Sequence, residues 1–219
     1  MTLKFKRVAA KSGKAKSALI LLHGYGADGA DLISLSQAMC LDLPDTVFIA
    51  PDAPTRCAAS PFGFQWFPIP WLDGSSEEDA KNKVTEISAT VRDWITDMIV
   101  SEGISERNTF LLGFSQGTML SLHIGLNCKN TFGGIVGFSG RLMENSDILS
   151  DTESRPPIIL IHGDKDEVVD CKFMNEAYET LHALGYKIKT HICKGLGHGI
   201  SPEGLGFALG FLKENSGGK

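Results

Sequence analysis

Gly113-Phe114-Ser115-Gln116-Gly117 is the stretch of this chain whose residue types and spacing most directly describe a reaction. A serine with glycine two residues away on each side suits a sharp strand-to-helix turn, where strained backbone lifts Oγ off the sheet edge. The glycines remove β-carbons that would collide as strand and helix close together. The pattern alone arises by chance on the order of 0.1 times in a chain of this length, so its partners decide. A serine hydroxyl is a poor nucleophile near neutral pH. It needs a base to take its proton and a carboxylate to hold that base in the right tautomer.

Six histidines are available as the base. His123 and His182 fall within apolar-periodic helical stretches and His191 within a strand, where surface or core roles are the ordinary reading. His23 and His162 each precede a glycine at a strand end and could hydrogen-bond to the loop backbone. His198 differs, because Gly195-Leu196-Gly197-His198-Gly199 is a glycine-rich loop after the last strand that can place an imidazole over the sheet edge. For the acid, the strand Ile158 to Ile161 runs into His162-Gly163-Asp164-Lys165-Asp166. Asp166, beyond the Gly163 turn, is the better choice, with Asp164 as alternative. The chain order Ser115, Asp166, His198 is then that of the α/β hydrolases, and each residue falls just past the C-terminal end of an expected strand.

Gly137-Phe138-Ser139-Gly140 looks similar but has no glycine matching Gly117, and it reads as an ordinary strand-end turn. The oxyanion formed during acyl transfer needs two donors in place before reaction. The backbone N–H of Gln116 follows the nucleophile, and the loop His23-Gly24-Tyr25-Gly26 after an early strand offers that of Tyr25.

The elements that must position these groups alternate. Ala18 to Leu22, Val47 to Ala50, Asn108 to Leu112, Gly134 to Phe138 and Ile158 to Ile161 are short continuous apolar runs, as expected of parallel strands covered on both faces. Leu3 to Val8 reads as an edge strand and Tyr186 to Cys193 as an alternating one. Between them lie a helix capped by Asp28, a helix from Ser76 to Gly103 with apolar residues stepping by three and four, a helix after Ser115, one from Asp170 to Gly185, and one opened by Ser201-Pro202. This alternation implies an α/β fold with a mostly parallel sheet and ligands bound beyond the carboxyl ends of the strands. The expected organisation is a single domain over 1–219, with a frayed tail at 215–219. From Arg56 to Asp73 the pattern fails. Prolines exclude a regular helix there, and Phe64, Trp66, Phe67 and Trp71 are candidates to line or cover an acyl site.

A net charge of −5 offers no electrostatic reason to expect nucleic acid or an anionic membrane as partner. No apolar run approaches the roughly 20 residues that span a bilayer. Five widely spaced cysteines without a C-x-x-C pair favour free thiols in a reducing, cytoplasmic setting over a disulfide framework or zinc site.

Several stretches together resemble one family: Leu22-His-Gly-Tyr-Gly-Ala-Asp-Gly-Ala-Asp-Leu32, Gln65-Trp-Phe67, Gly113-Phe-Ser-Gln-Gly117, His162-Gly-Asp-Lys-Asp166 and Gly197-His198. The chain is similar to the phospholipase/carboxylesterase family of α/β hydrolases, which includes bacterial carboxylesterases and acyl-protein thioesterases. The resemblance runs from about Leu19 to the last helix. It implies an α/β-hydrolase fold, Ser115 as nucleophile, Asp166 as acid, His198 as base, Tyr25 and Gln116 as oxyanion donors, and no metal or cofactor. The expected substrates are short to medium acyl esters, with thioesters, lysophospholipids or an acylated protein as alternatives. A reading of another class is a catalytically silent homologue that binds an acyl ligand in the same pocket. Monomer and homodimer both remain open. Three departures stand out: Thr118 where glycine often follows the elbow, Glu167-Val-Val-Asp170 after the acid, and Gly199 after the histidine.

Overall fold

The computed structural model describes residues 2–57, 60–143 and 154–216. Its main sheet has seven strands: β1 (Phe5–Val8), β2 (Ser17–Leu22), β3 (Thr46–Pro51), β6 (Thr109–Phe114), β7 (Gly134–Phe138), β8 (Ile158–Gly163) and β9 (Ile188–Cys193). They lie in the order β1-β3-β2-β6-β7-β8-β9. Only β1 is antiparallel to its neighbour. Every residue of β2, β3 and β8 is buried, which is why these strands read as unbroken apolar runs. β1 is exposed throughout, as suits a charged edge strand.

Side-chain alternation divides the core between the two faces. Ile20 and Leu22 point to the face covered by α4 (Glu77–Glu102) and α5 (Gln116–Leu126). Leu19 and Leu21 point to the other, covered by α1 (Gly29–Ile33), α2 (Ser36–Met39) and α7 (Pro202–Ser216). The remaining long helix, α6 (Lys172–Ala183), packs through Met174, Ala177 and Leu181 against β8 and β9. Two successive residues of one strand therefore feed two separate hydrophobic layers.

Helix ends follow the capping chemistry. Asp28 accepts from the N–H groups of Ala30 and Asp31, although the helix it opens is broken in two by Ser34 and Leu35. Ser76 accepts from Asp79 N, and Gly103 closes α4 in the left-handed conformation at φ 68°. Ser201 Oγ accepts from Gly204 N at 3.0 Å to open α7. A two-pronged ion pair, Arg7 Nε and Nη2 to the Glu102 carboxylate at 2.6 and 2.8 Å, ties the edge strand to the end of α4.

Two expectations need correction. The segment from Arg56 to Asp73 does carry regular structure: β4 (Thr55–Arg56) pairs with β5 (Phe64–Gln65) as a small antiparallel ladder, and α3 (Pro70–Asp73) forms one helical turn. Pro70 opens that turn, because the first helical position needs no N–H donor. Residues 215 and 216 belong to α7, while 217–219 lie outside the described residues. All five cysteines are free thiols.

Ile95 is wholly buried beneath the sheet, while Val100 on the same helix is 71 % exposed. Ile95→Ala should cost about 2–5 kcal/mol in a urea melt, and Val100→Ala should stay within about 0.5 kcal/mol. Equal losses at the two positions would mean that α4 does not pack as described.

Candidate active site

Ser115 sits between β6 and α5 with φ 53° and ψ −114°. A β-branch-free side chain at positive φ still stores strain, and the surroundings have to impose it. Here Ser115 N donates to Phe138 O of the neighbouring strand at 2.8 Å, while Ser115 O accepts from Thr118 N at 3.0 Å. The glycines permit the turn by their lack of side chains. A Cβ on Gly117 would lie 1.8 Å from Leu22 O, and one on Gly113 would lie 2.3 Å from the Gly117 carbonyl. Ser115 remains 8 % exposed at the top of the sheet.

Asp166 and His198 come from the loops after β8 and β9. Asp166 Oδ1 accepts from the amides of Val168 at 3.0 Å and Val169 at 2.9 Å, and Oδ2 is 2.8 Å from His198 Nδ1. Burial pushes this carboxyl up, but the Val169 amide, His198 and the Val168 amide outweigh it, so its pKa lies below the ordinary aspartate value. Asp164 is elsewhere. It accepts from Gly195 N at 2.6 Å and so staples the foot of the loop that carries His198. The His198 ring packs on Phe114, with centroids 4.9 Å apart, and Phe114 is the residue before Ser115. Among the described residues no hydrogen bond joins Ser115 to His198. A nucleophile–base contact is often looser without substrate and tightens when one binds.

The first loop and the aromatic segment close over the elbow. Gln116 is fully buried. Its Oε1 accepts from Trp66 N at 2.9 Å and its Nε2 donates to Phe67 O at 2.7 Å. Trp66 Nε1 donates to His23 O at 2.9 Å. The backbone around Gly24 and Tyr25 is thereby fixed beside the start of α5, and Gly26 N donates to Phe64 O at 2.8 Å.

The chain matches the phospholipase/carboxylesterase family over residues 3–216. It belongs to that family. Acyl-protein thioesterase 1 of Gibberella zeae is 30 % identical over 209 residues, covering 90 % of this chain and 89 % of the relative. Esterase YpfH of Escherichia coli is 27 % identical over 200 residues, covering 91 % and 83 %. The crystal structure of esterase PE8 superposes with a TM-score of 0.92 at 37 % identity, covering 98 % of this chain and all of that one. The α/β-hydrolase fold and a hydrolase of the carboxylesterase family follow from these matches.

Within this family member the sequence-derived candidates divide. Trp71 lines a groove of about 360 Å³ together with Arg141, Asp166, Glu167, Val168 and Phe173. Its ring stacks under the Arg141 guanidinium at 4.3 Å. Trp66 and Phe67, by contrast, are buried in the core beneath the site, at 2 % and 3 % exposure, and act through the hydrogen bonds to Gln116. Phe64 is half-buried in β5 under Arg56. A larger groove of about 760 Å³ lies between β9 and α7 and includes none of Ser115, Asp166 or His198. The smaller one includes Asp166 but neither Ser115 nor His198.

Four of the other five histidines stand apart from the Asp166–His198 pair. His23 Nε2 accepts from Ala53 N at 3.0 Å and its Nδ1 bonds Gly24 O at 2.8 Å, so neither nitrogen is left to act as base. Burial holds its pKa below the ordinary value. His123 is buried with Nδ1 unpartnered, and burial lowers its pKa as well. His182 stacks on Tyr178. His191 bonds Glu203 at 2.8 Å, and with Cys193 these two bring three metal-ligand-type atoms within 4.8 Å of one another. Cys193 Sγ already accepts from Ser201 Oγ. Ser139 is not an ordinary turn residue: it too adopts positive φ, 48°, but it is wholly enclosed, with its hydroxyl unpartnered.

The departures have local explanations. Thr118 Oγ1 lies 2.8 Å from both Gly113 O and Phe138 O, bridging β6 and β7 where a glycine would leave those carbonyls without this donor. Glu167-Val-Val-Asp170 presents the two valine amides that hold Asp166. The Gln116 side chain and Arg141 were absent from the sequence-based reading, and no local pattern marks either.

Gly117→Ala should destabilise the fold by about 3 kcal/mol or more, at or beyond the upper end of overpacking costs, because the new carbon meets backbone that cannot step aside. A denaturation midpoint near that of wild type would refute the close approach. For Asp166 the sign is set by its depressed pKa. Its contribution to stability is complete above the ordinary aspartate range and is lost as pH falls through the folded-state value. The stability gap between wild type and Asp166→Asn should therefore hold above about pH 5 and narrow as pH falls from there toward about pH 2. A gap constant across urea melts in that range would contradict this.

Proposed function

We propose that this hydrolase is a serine carboxylesterase that cleaves short to medium acyl esters through an acyl-enzyme. The observation that carries the reading is the Asp166–His198 pair at 2.8 Å, packed through Phe114 beside a serine held at positive φ. Asp166 accepts the Nδ1–H of His198, which leaves Nε2 as the basic nitrogen. His198 takes the Ser115 proton as Oγ bonds to the acyl carbon, then delivers it to the departing alkoxide or thiolate. Water, deprotonated by the same nitrogen, attacks the acyl-enzyme, and the carboxylate product leaves as Ser115 recovers its proton.

The oxyanion of both tetrahedral intermediates is assigned to the amides of Gln116 and Tyr25. Gln116 opens α5, where the first N–H groups have no intrahelical acceptor and the helix dipole favours negative charge. The acyl chain is assigned to the groove beside Asp166, whose apolar walls are Trp71, Val168 and Phe173. A second reading, an acyl-protein thioesterase, is supported by relatives bearing that name. Among the described residues no helix is long and apolar enough to cross a membrane.

A fluorophosphonate probe should label Ser115 in wild type and not in Ser115→Ala. Wild type should turn over p-nitrophenyl butyrate, and kcat should fall by about 10⁶ in the variant. Absence of both labelling and turnover in folded wild type would reject the assignment in favour of a silent acyl-binding homologue. Parallel series of oxyesters and thioesters, graded by chain length, separate the two substrate readings.

A further inference from the structure

The aspartate on His198 faces a second imidazole. His162, at the end of β8, has a side chain only 1 % exposed, and its Nε2 lies 2.8 Å from Val169 O and 3.3 Å from Asp166 Oδ2. A carbonyl can only accept, so Nε2 carries a hydrogen and is the donor. That N–H does two things at once. It pins the carbonyl of Val169, whose own amide holds Asp166 Oδ1 at 2.9 Å. It also turns its positive end toward Oδ2, the same oxygen that accepts from His198 at 2.8 Å.

We propose that His162 is a positioning residue for the hydrolytic reaction, a fixed second imidazole that holds the Asp166 carboxylate and its loop so that Oδ2 meets His198 Nδ1. The inference rests on the serine-esterase reading above and adds to it a residue that does not touch substrate. The side chain of Asp166 is fully buried, so its orientation is set by partners and not by water. Val168 and Val169 amides fix one oxygen, but a carboxylate held by one oxygen can still rotate the other. The His162 N–H is the contact that opposes this rotation. Protein charges acting on the ring are Asp166 directly and Asp170 through space.

The test compares His162→Phe, which keeps a ring and loses the donor, with His162→Gln, whose amide N–H reaches the place of Nε2, and His162→Asn, which falls short of it. Rates are expressed per active site titrated with fluorophosphonate, so loss of folded protein does not count as loss of catalysis. Expected for His162→Phe are a kcat lower by about tenfold to a hundredfold, as for outer partners of functional histidines, and KM within about twofold. The acidic limb of kcat/KM should also move to higher pH, because the whole charge of Oδ2 then falls on the His198 imidazolium. His162→Gln should recover most of the rate and return the limb to its wild-type place. A per-site kcat within twofold of wild type with an unmoved limb in His162→Phe would overturn the proposal. If His162→Phe does not fold, the Gln and Asn variants decide it: Gln active and Asn impaired supports the role, and equal activity refutes it. Failure of the serine-esterase reading is separable, since it would appear in wild type as absence of labelling.

Discussion

The first turn of α5 presses against the carbonyl of Leu22 so closely that no β-carbon fits between them. Much else in the molecule depends on that contact. It draws the helix start down onto the junction of β2 and β6, forces Ser115 to positive φ, and leaves its side chain on the outer surface of the turn. The strain is sustained because both flanks are over-determined: Ser115 N is bound by β7, and Thr118 Oγ1 sits between the carbonyls of β6 and β7. A residue in a sparsely populated conformation persists only where neighbours allow nothing else, and here the neighbours are backbone.

The same junction organises the covering layer. Gln116 follows the serine and is buried, and its amide group spends its oxygen and nitrogen on the chain at Trp66 and Phe67. That segment in turn anchors His23 O through Trp66 Nε1. Two aromatic residues that the sequence offers as substrate contacts, Trp66 and Phe67, are buried beneath this layer. What they position is backbone, namely the loop that includes Tyr25.

On the far side, Asp166 and His198 depend on loops that leave adjacent parallel strands at the same edge of the sheet. Parallel pairing of β8 with β9 puts His162 beside Ile192 and Gly163 beside Cys193, so both loops start level. Asp164 then ties the second loop to the first through Gly195 N, and Lys165 N does so through Leu196 O. The carboxylate of Asp166 ends up surrounded by donors from three directions. Its depressed pKa and the His162 contact express the same arrangement.

The elbow was legible in the sequence because its chemistry is local. A strand, a serine between spaced glycines and a helix start leave marks within a few residues, as do the caps at Asp28, Ser76, Gly103 and Ser201. The central strands β2, β3, β6, β7 and β8 were legible because burial on both faces demands uninterrupted apolar residues. The short ladder of β4 with β5 was not, since each strand has two residues and no periodicity can be read from two. Neither Arg141 against Trp71 nor the Gln116 clamp left any trace, because each joins residues far apart in the chain, and spacing is blind to what folding brings together. The sequence alone determined which groups could react and that each would stand at a strand end. Which of two aspartates holds His198, and that His162 stands behind it, was decided only by the tertiary structure, because a hydrogen bond depends on ångström-scale placement of side chains that the pairing of β8 with β9 brings together.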